Sequence, residues 1–157
     1  MDTEHERYMK EAIELSRQSV ASGGGPFGTV IVSNGGVIAR GVSRVTVWND
    51  PTAHGEIVAI REACKHLNSF QLDDCIIYTN SEPCPMCLGA IYWARPQAVY
   101  FANSKEDAAA IGFDDAFISK EIDLPNDQRT IPSSQIMRDS ALEVFKLWST
   151  KADKVEY

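Results

Sequence analysis

Helical and strand-like patterns alternate along this 157-residue chain, and the alternation restricts its fold more than any other feature. Residues 4–22 carry apolar side chains at helical spacing, and two β-rich runs within 29–46 are joined at Asn34-Gly35-Gly36, a strong hairpin signal. The segments predicted after them are a helix within 48–67, a strand at 75–80, a helix at 84–95, a strand at 98–103, a helix at 104–111, a loop at 113–132 and a terminal amphipathic helix at 140–157. This order predicts an α/β protein whose sheet is covered by helices on both faces.

Composition and charge exclude several classes of protein. The length favours one domain, residues 1–157, and a hydrophobic content of 44% is typical of a globular chain. No apolar run approaches the roughly 20 residues that cross a membrane, so no membrane partner is expected. A net charge of −7 repels phosphate backbones and argues against nucleic acid as a partner. Four cysteines in this length do not indicate a disulfide scaffold, so a cytoplasmic location is expected.

The pair Cys84 and Cys87 is the first indication of a chemical site. A C-x-x-C pair can be a redox dithiol, half of a closed zinc site or part of an open catalytic zinc site. A closed site needs four protein ligands, usually from a second C-x-x-C or from two histidines four to six positions apart. The sequence has no second C-x-x-C, and His5, His54 and His66 form no such pair. A closed site is therefore hard to assemble.

An open zinc site uses three protein ligands and leaves a fourth position for water. Cys84 and Cys87 lie one helical turn apart, and His54, at the start of the preceding predicted helix, can be the third ligand. Glu56 lies two residues further on and can stay unligated to move protons. H-x-E followed by P-C-x-x-C is the signature of zinc nucleobase deaminases, and here it is His54-Gly55-Glu56 with residues 83–87.

With these motifs, the chain resembles the cytidine deaminase-like superfamily over nearly its whole length and, within it, the bacterial guanine deaminases. The supporting stretches are GGPFG (24–28), NDPTAH (49–54), EPCPMCLGAIYWARP (82–96), GFDDAF (112–117), RTIP (129–132) and the terminal Glu156-Tyr157. The first three are shared with tRNA adenosine deaminases, and the last three are guanine-like. The resemblance implies a three-layer α/β/α sandwich around a mixed sheet, one Zn²⁺ per chain, and hydrolysis of a free nucleobase, guanine, to xanthine and ammonia.

The resemblance also implies substrate contacts and an assembly. Phe27 would stack on the base, Asp115 would bind the purine edge, and Tyr157 would reach the base from an exchanged tail. This tail comprises residues 135–157, a C-terminal helix and segment that a homodimer would exchange between its two copies. The tail of one copy would then close the pocket of the other.

Two positions depart from the family pattern. Ser43 stands in the second hairpin strand where the pattern has an asparagine that contacts the base, and a hydroxyl is shorter and has one donor instead of two. Ser43 either acts through water or accompanies a different substrate. Gly55 stands where alanine is usual, which predicts extra space beside the zinc. Glycine at this position is also seen in fungal-type cytosine deaminases.

Other functions stay open on the sequence alone. Ser43 and Gly55 leave room for deamination of cytosine or another aminated heterocycle, and the shared motifs leave room for tRNA adenosine deamination. A zinc-stabilised binding module has no use for Glu56, and a thiol redox protein leaves the H-x-E motif unexplained. Three expectations concern residues outside the site: His5 solvated, Trp93 in the core, and Cys64 and Cys75 buried as apolar residues.

Overall fold

The computed structural model describes residues 3–157, and its elements follow the predicted alternation. In chain order they are α1 (Glu4–Ala21), β1 (Gly28–Ser33), β2 (Gly36–Val42), α2 (Val45–Trp48), α3 (Gly55–Leu67), β3 (Cys75–Ser81), α4 (Pro85–Ala94), β4 (Ala98–Asn103), α5 (Lys105–Ala110), α6 (Asp115–Ile122) and α7 (Arg138–Ser149). A 3₁₀ turn, Asn126–Gln128, lies between the last two helices.

The four strands form one mixed sheet in the order β2-β1-β3-β4. β1 pairs antiparallel with β2 through the predicted hairpin, whose turn residues Asn34 and Gly35 have φ angles of 51° and 73°. Positive φ at both positions is what a two-residue hairpin turn requires. β1 also pairs antiparallel with β3, whereas β3 and β4 are parallel and are connected through α4. The ends of β3 and β4 therefore meet at one edge of the sheet.

Helices cover both faces of the sheet, because successive strand residues point to opposite sides. One core cluster joins α1 to the sheet and consists of Tyr8, Ala12, Val30, Val32 and Tyr78. A second cluster joins α3 and α4 to the opposite face and consists of Ile31, Ala39, Ala59, Ala63, Leu72, Cys75, Ile77, Ile91 and Ala94. The predicted three-layer sandwich is confirmed.

His5 connects the first turn of α1 to two strands. Thr3 caps this helix in a capping box with Glu6. One ring nitrogen of His5 lies 2.7 Å from the Tyr78 hydroxyl, and the other lies 3.4 Å from the Tyr100 hydroxyl. The His5 ring also stacks on Tyr100, with centroids 4.3 Å apart. His5 is exposed, as expected, but its ring also links α1 to β3 and β4.

The segment 113–132 differs from the predicted loop, because it contains α6 and the 3₁₀ turn. Arg129 stabilises the end of α6 by donating hydrogen bonds to the carbonyls of Glu121 and Ile122, at 3.0 and 3.1 Å. The two prolines and mixed charge of this segment indicated a loop, although it contains a short helix whose C-terminal carbonyls accept hydrogen bonds from Arg129. The terminal helix is also shorter than predicted, since it ends at Ser149.

Helix α4 presents apolar side chains to solvent. Its buried face is Cys87, Ile91 and Ala94. The side chains on its exposed side, called here the α4 outer face, are Met86, Leu88, Tyr92 and Trp93. Trp93 is 62% exposed, so the prediction that it lies in the core is wrong. A helix that is apolar on every side is normally buried, and the outer face of α4 is not.

The described chain forms two compact units, one ending at Ile118 and the other comprising Ser119–Tyr157. The first unit contains the complete sheet and α1 to α5. The second contains α7, whose exposed apolar side chains include Val144, Phe145, Leu147 and Trp148. Within residues 3–157, no helix combines the length and the apolar character needed to cross a bilayer.

Candidate metal centre and active site

The three predicted metal ligands, His54, Cys84 and Cys87, come together and are called here the ligand cluster. Their ligand atoms all lie within 4.8 Å of one another. His54 Nδ1 is 3.5 Å from Sγ of Cys84 and 3.5 Å from Sγ of Cys87. With tetrahedral angles, Zn–S of about 2.3 Å and Zn–N of about 2.0 Å, a sulfur and a nitrogen ligand lie about 3.5 Å apart. The spacing of the ligand cluster therefore fits Zn²⁺.

Two helix starts position the ligands. His54 is the N-cap residue of α3 and Cys84 is that of α4, and both have extended backbones, with ψ angles of 157° and 166°. Pro85 occupies the first turn of α4, where a missing N–H costs no hydrogen bond. Cys87 lies one turn later, and its N–H donates to Sγ of Cys84 at 3.5 Å. The positive ends of two helices therefore favour thiolates at this place.

The side chains of the ligand cluster control one another's protonation. Hydrogen bonds from Cys87 and His54 lower the pKa of Cys84 to about 4. The hydrogen bond to Cys84, together with burial, raises the pKa of Cys87. The hydrogen bond to Cys84 also raises the pKa of His54. These shifts favour the thiolate form of Cys84, and zinc binding also requires the thiolate of Cys87, because zinc ligands are deprotonated.

Glu56 lies in the first turn of α3 and is 4% exposed. Its Oε1 accepts a hydrogen bond from Oγ1 of Thr79 at 2.9 Å, and the hydroxyl of Thr29 in turn donates to Thr79 at 3.2 Å. Burial raises the pKa of the Glu56 carboxyl, although the bond from Thr79 acts in the opposite direction. A buried carboxyl with a raised pKa beside a metal site is suited to accept and return protons.

A cavity of about 390 Å³ is lined by two of the three predicted metal ligands, by Glu56 and by three of the four predicted contacts of the base. Its lining includes His54, Cys84 and Glu56. Four other side chains of the lining, called here the substrate wall, are Phe27, Ser43, Phe113 and Asp115. The volume lies within the range of roughly 300–1,000 Å³ that small-molecule pockets occupy.

The substrate wall combines aromatic and polar groups. Phe27 and Phe113 meet edge to face, with centroids 4.8 Å apart and rings inclined by 79°. Ser43 is 7% exposed, and its backbone N–H donates to the carbonyl of Phe27 at 3.1 Å. Burial raises the pKa of Asp115, and the nearby Cys84 thiolate raises it further. A phenyl ring bordered by a hydroxyl and a carboxyl suits a planar base.

The other predicted site residue, Tyr157, belongs to the second unit, where it is exposed. Its contact with the base stays a prediction. The cavity lining also includes Phe113 and Glu82, which the sequence did not indicate as contacts of the base. Phe113 lies in the predicted loop and within GFDDAF, a stretch that supports the resemblance and also contains Asp115.

Gly55 does not create space beside the ligand cluster, contrary to the sequence expectation. A methyl group at this position would meet Oγ1 of Thr29 at 3.3 Å and the carbonyl oxygens of Gly41 and Phe27 at 3.4 Å each. Gly55 is also absent from the cavity lining. A side chain at this position would point towards the sheet, so Ser43, and not Gly55, lines the cavity.

Comparison with known proteins agrees with this geometry. Residues 2–103 match the profile of the cytidine and deoxycytidylate deaminase zinc-binding region. A guanine deaminase of Bacillus subtilis (strain 168) is 56% identical over 154 residues, which are 98% of this chain and 99% of that protein. An X-ray structure of guanine deaminase from Bacillus subtilis superposes with a TM-score of 0.94, covering 100% of this chain and 99% of that one at 56% identity.

More distant relatives share a smaller part of the chain. A tRNA-specific adenosine deaminase of Bacillus subtilis (strain 168) is 40% identical over 99 residues, 63% of this chain and 62% of that protein. A solved structure of guanine deaminase from Nitrosomonas europaea is 32% identical with a TM-score of 0.68, over 73% of this chain and 66% of that one. The similarity thus covers nearly the whole chain for the Bacillus guanine deaminase and about two thirds of it for the tRNA deaminase.

Proposed function

The chain belongs to the cytidine and deoxycytidylate deaminase family, and from this premise we propose that it is a zinc-dependent hydrolase that converts free guanine to xanthine and ammonia. The observation that carries the proposal is one cavity lined both by His54, Cys84 and Glu56 and by the substrate wall. The choice of base is supported by the relative named guanine deaminase, because the similarity spans nearly both chains.

The reaction replaces an amino group with an oxygen from water. Water adds to C2 of guanine, the bond from C2 to the exocyclic nitrogen breaks, and ammonia leaves as C2 becomes a carbonyl. Glu56 takes one proton from water and passes it to the ring nitrogen. It then takes the second proton from the hydroxyl added at C2 and passes it to the departing amine, so that its carboxyl ends ionised as it began. The raised pKa of Glu56 suits this exchange, because a proton shuttle works best near the operating pH.

One zinc ion per chain, held by His54, Cys84 and Cys87, would supply a Lewis acid that lowers the pKa of a water molecule in the open position. The chain contributes two thiolates and an imidazole, which roughly neutralise the ion. Such a site acidifies water less than an all-histidine site, and this is why a nearby carboxylate is needed to accept the proton. Glu56 is that carboxylate.

The substrate wall is proposed to hold the base by three contacts. Phe27 stacks on the ring, the carboxylate of Asp115 accepts hydrogen bonds from purine N–H groups, and Ser43 contributes its hydroxyl directly or through water. Ser43 also supports a second candidate, deamination of another aminated heterocycle such as cytosine. Ser43 lines the cavity and offers one donor where the family pattern has an amide with two.

A homodimer is also proposed, with residues 1–157 acting as a single deaminase domain. The α4 outer face supports it, because exposed apolar side chains of this size favour burial against a second copy. Residues 135–157 are proposed to be exchanged between copies, which would bring Tyr157 to the base bound by the partner. The exposed apolar side chains of α7 support this exchange. Sedimentation equilibrium should give twice the mass of one chain, and a monomer would overturn the proposal.

A cytoplasmic location is proposed on the evidence of the cysteines. All four are free thiols, and Cys75, Cys84 and Cys87 are buried. Reduced cysteines of this kind are typical of a reducing compartment.

The decisive experiment measures zinc and ammonia together. Purified protein should contain about one zinc per chain by elemental analysis and release ammonia from guanine. A panel with cytosine, adenine, 2,6-diaminopurine and a tRNA substrate, compared by kcat/KM, separates guanine from the alternatives. Zinc-loaded protein that releases no ammonia from guanine would refute the substrate, and protein without zinc but with a Cys84–Cys87 disulfide would refute the site.

A further inference from the structure

We propose that Glu82 is a positioning residue that fixes the start of α5 and thereby sets where Phe113 and Asp115 stand in the cavity. This inference rests on the proposed function, because the base is assigned to the cavity that these two residues line. Glu82 itself lines the same cavity. It precedes the ligand Cys84 by two residues, so it is the point at which the ligand cluster and the substrate wall are connected.

The first amide of α5 is satisfied by Glu82 and not by the helix's own cap. Ser104 and Asp107 form a capping box, in which Oγ of Ser104 accepts from the Asp107 N–H and the Asp107 carboxylate accepts from the Ser104 N–H. This box leaves the Lys105 N–H without a local acceptor. Oε2 of Glu82 accepts that hydrogen bond at 2.9 Å. The positive end of the helix dipole also stabilises the Glu82 carboxylate at this position.

The position of the Glu82 carboxylate is itself fixed by the sheet. The Glu82 N–H donates to the carbonyl of Asn103 at 2.7 Å. Asn103 is the last residue of β4, and Ser81, its neighbour in the parallel ladder, is the last residue of β3. The backbone and side chain of Glu82 therefore bind Asn103 and Lys105, the residues on either side of the junction between β4 and α5. The start of this helix cannot shift without breaking one of these two hydrogen bonds.

Backbone hydrogen bonds connect α5 to the residues of the substrate wall that follow it. The Phe113 N–H donates to the carbonyl of Ala108 at 3.1 Å, and Gly112, with a φ of 98°, makes the sharp turn between them. Ala108 is 3% exposed, so the middle of α5 is packed. Phe113 then meets Phe27 in the substrate wall, and Asp115 follows two residues later. A displaced α5 would carry both wall residues with it.

The position of Lys105 offers a precise test. It is the first residue of α5, where proline is well tolerated, and the preceding Ser104 has the extended angles (φ −81°, ψ 167°) that a following proline requires. Lys105→Pro therefore removes the hydrogen-bond donor and leaves the helix start intact. Glu82→Ala removes the acceptor, Glu82→Gln keeps an acceptor oxygen without charge, and Glu106→Ala removes an exposed carboxylate from the same turn as a matched control.

The experiment measures guanine kinetics, zinc content and amide hydrogen exchange for these variants. Glu82→Ala should lower kcat/KM by about tenfold, mainly through KM, while zinc content stays at the wild-type level. Glu82→Gln should have a kcat/KM close to that of the wild type, and Glu106→Ala should leave kcat/KM unchanged. The effect of Glu82→Ala should largely disappear in the Lys105→Pro background, because both changes break the same bond.

Hydrogen exchange separates this proposal from the proposed function, since it needs no substrate. The amide of Phe113 should exchange faster in Glu82→Ala and at the wild-type rate in Glu106→Ala. Unchanged exchange at Phe113, loss of zinc in Glu82→Ala, or full additivity of Glu82→Ala with Lys105→Pro would each overturn the proposal. Inactivity of the wild-type protein on guanine, with exchange as expected, would refute only the substrate.

Discussion

The ligand cluster and the substrate wall face the same cavity but are built in different ways. The cluster lies on the starts of α3 and α4, and each ligand is positioned by backbone angles set within a few residues of it. The substrate wall takes its side chains from four separate places: the loop before β1, the residue after β2, the loop after α5 and the start of α6. The position of each ligand therefore depends on local sequence, whereas the arrangement of the substrate wall depends on tertiary packing.

The largest effect is expected from a change at Glu56, which should lower kcat and leave binding by the substrate wall unchanged. Glu56→Gln removes the carboxylate that accepts a proton, so kcat for guanine should fall by about 10³-fold with little change in KM. Zinc content, measured by elemental analysis, should stay at the wild-type level because Glu56 is outside the ligand cluster. Glu62→Gln, an exposed position on the same helix, is the control and should be fully active. Turnover above a tenth of wild type in Glu56→Gln would remove Glu56 from the mechanism.

A smaller effect, of the opposite kind, is expected at the wall. Asp115→Asn replaces a charged acceptor of purine N–H groups by a neutral one, so kcat/KM should fall by roughly 10- to 100-fold, mainly through a higher KM. Steady-state kinetics on guanine measures this split. Asp114→Asn, at an exposed neighbouring position, should change neither constant. A loss confined to kcat would show that the wall takes part in the chemistry and would end the division drawn here.

The smallest effect tests the hydroxyl that connects the sheet to Glu56. The carboxyl must be ionised to accept a proton, and burial raises its pKa, so kcat/KM should fall with decreasing pH at a higher pH than for an ordinary glutamate. Thr79→Val removes the donor that lowers this pKa, so the acid limb should move to still higher pH, with less than about tenfold loss at its plateau. Thr29→Val, one hydroxyl further away, keeps the Thr79 bond and serves as the matched control. An acid limb that stays in place, or moves to lower pH, would show that Glu56 does not set it.

This division also explains what the sequence could predict. His54, Cys84, Cys87 and Glu56 were found because two short motifs, each at a helix start, keep a regular spacing. The helix α6 was missed because its C-terminal carbonyls are satisfied by Arg129, seven residues beyond the helix, and local patterns do not record such a contact. The exposed position of Trp93 was missed for a similar reason, since an apolar helix shows how much it can bury but not against which neighbour.

Glu82 and Gly55 are two further positions at which local sequence does not predict the tertiary contacts. The role of Glu82 depends on an amide 23 residues away, across the parallel strand pair. Gly55 suggested space beside the metal because it lies between two site residues, yet its missing side chain points to Thr29 and the sheet. Adjacency in sequence predicts which residues share a turn of helix, but the direction of each side chain is set by the packed fold.

The ring of His5 has a consequence for the order in which this protein folds. It joins the first turn of α1 to Tyr78 and Tyr100, which lie 73 and 95 residues further along the chain. Helix α1 is synthesised before β3 and β4, so the contacts of His5 with Tyr78 and Tyr100 cannot form until β4 has been made. Contacts of such long range are slow to form, because closing a long loop costs chain entropy before any contact repays it. The packing of α1 on β1 can therefore precede the His5 contacts, which we expect to form only after β4 has joined the sheet.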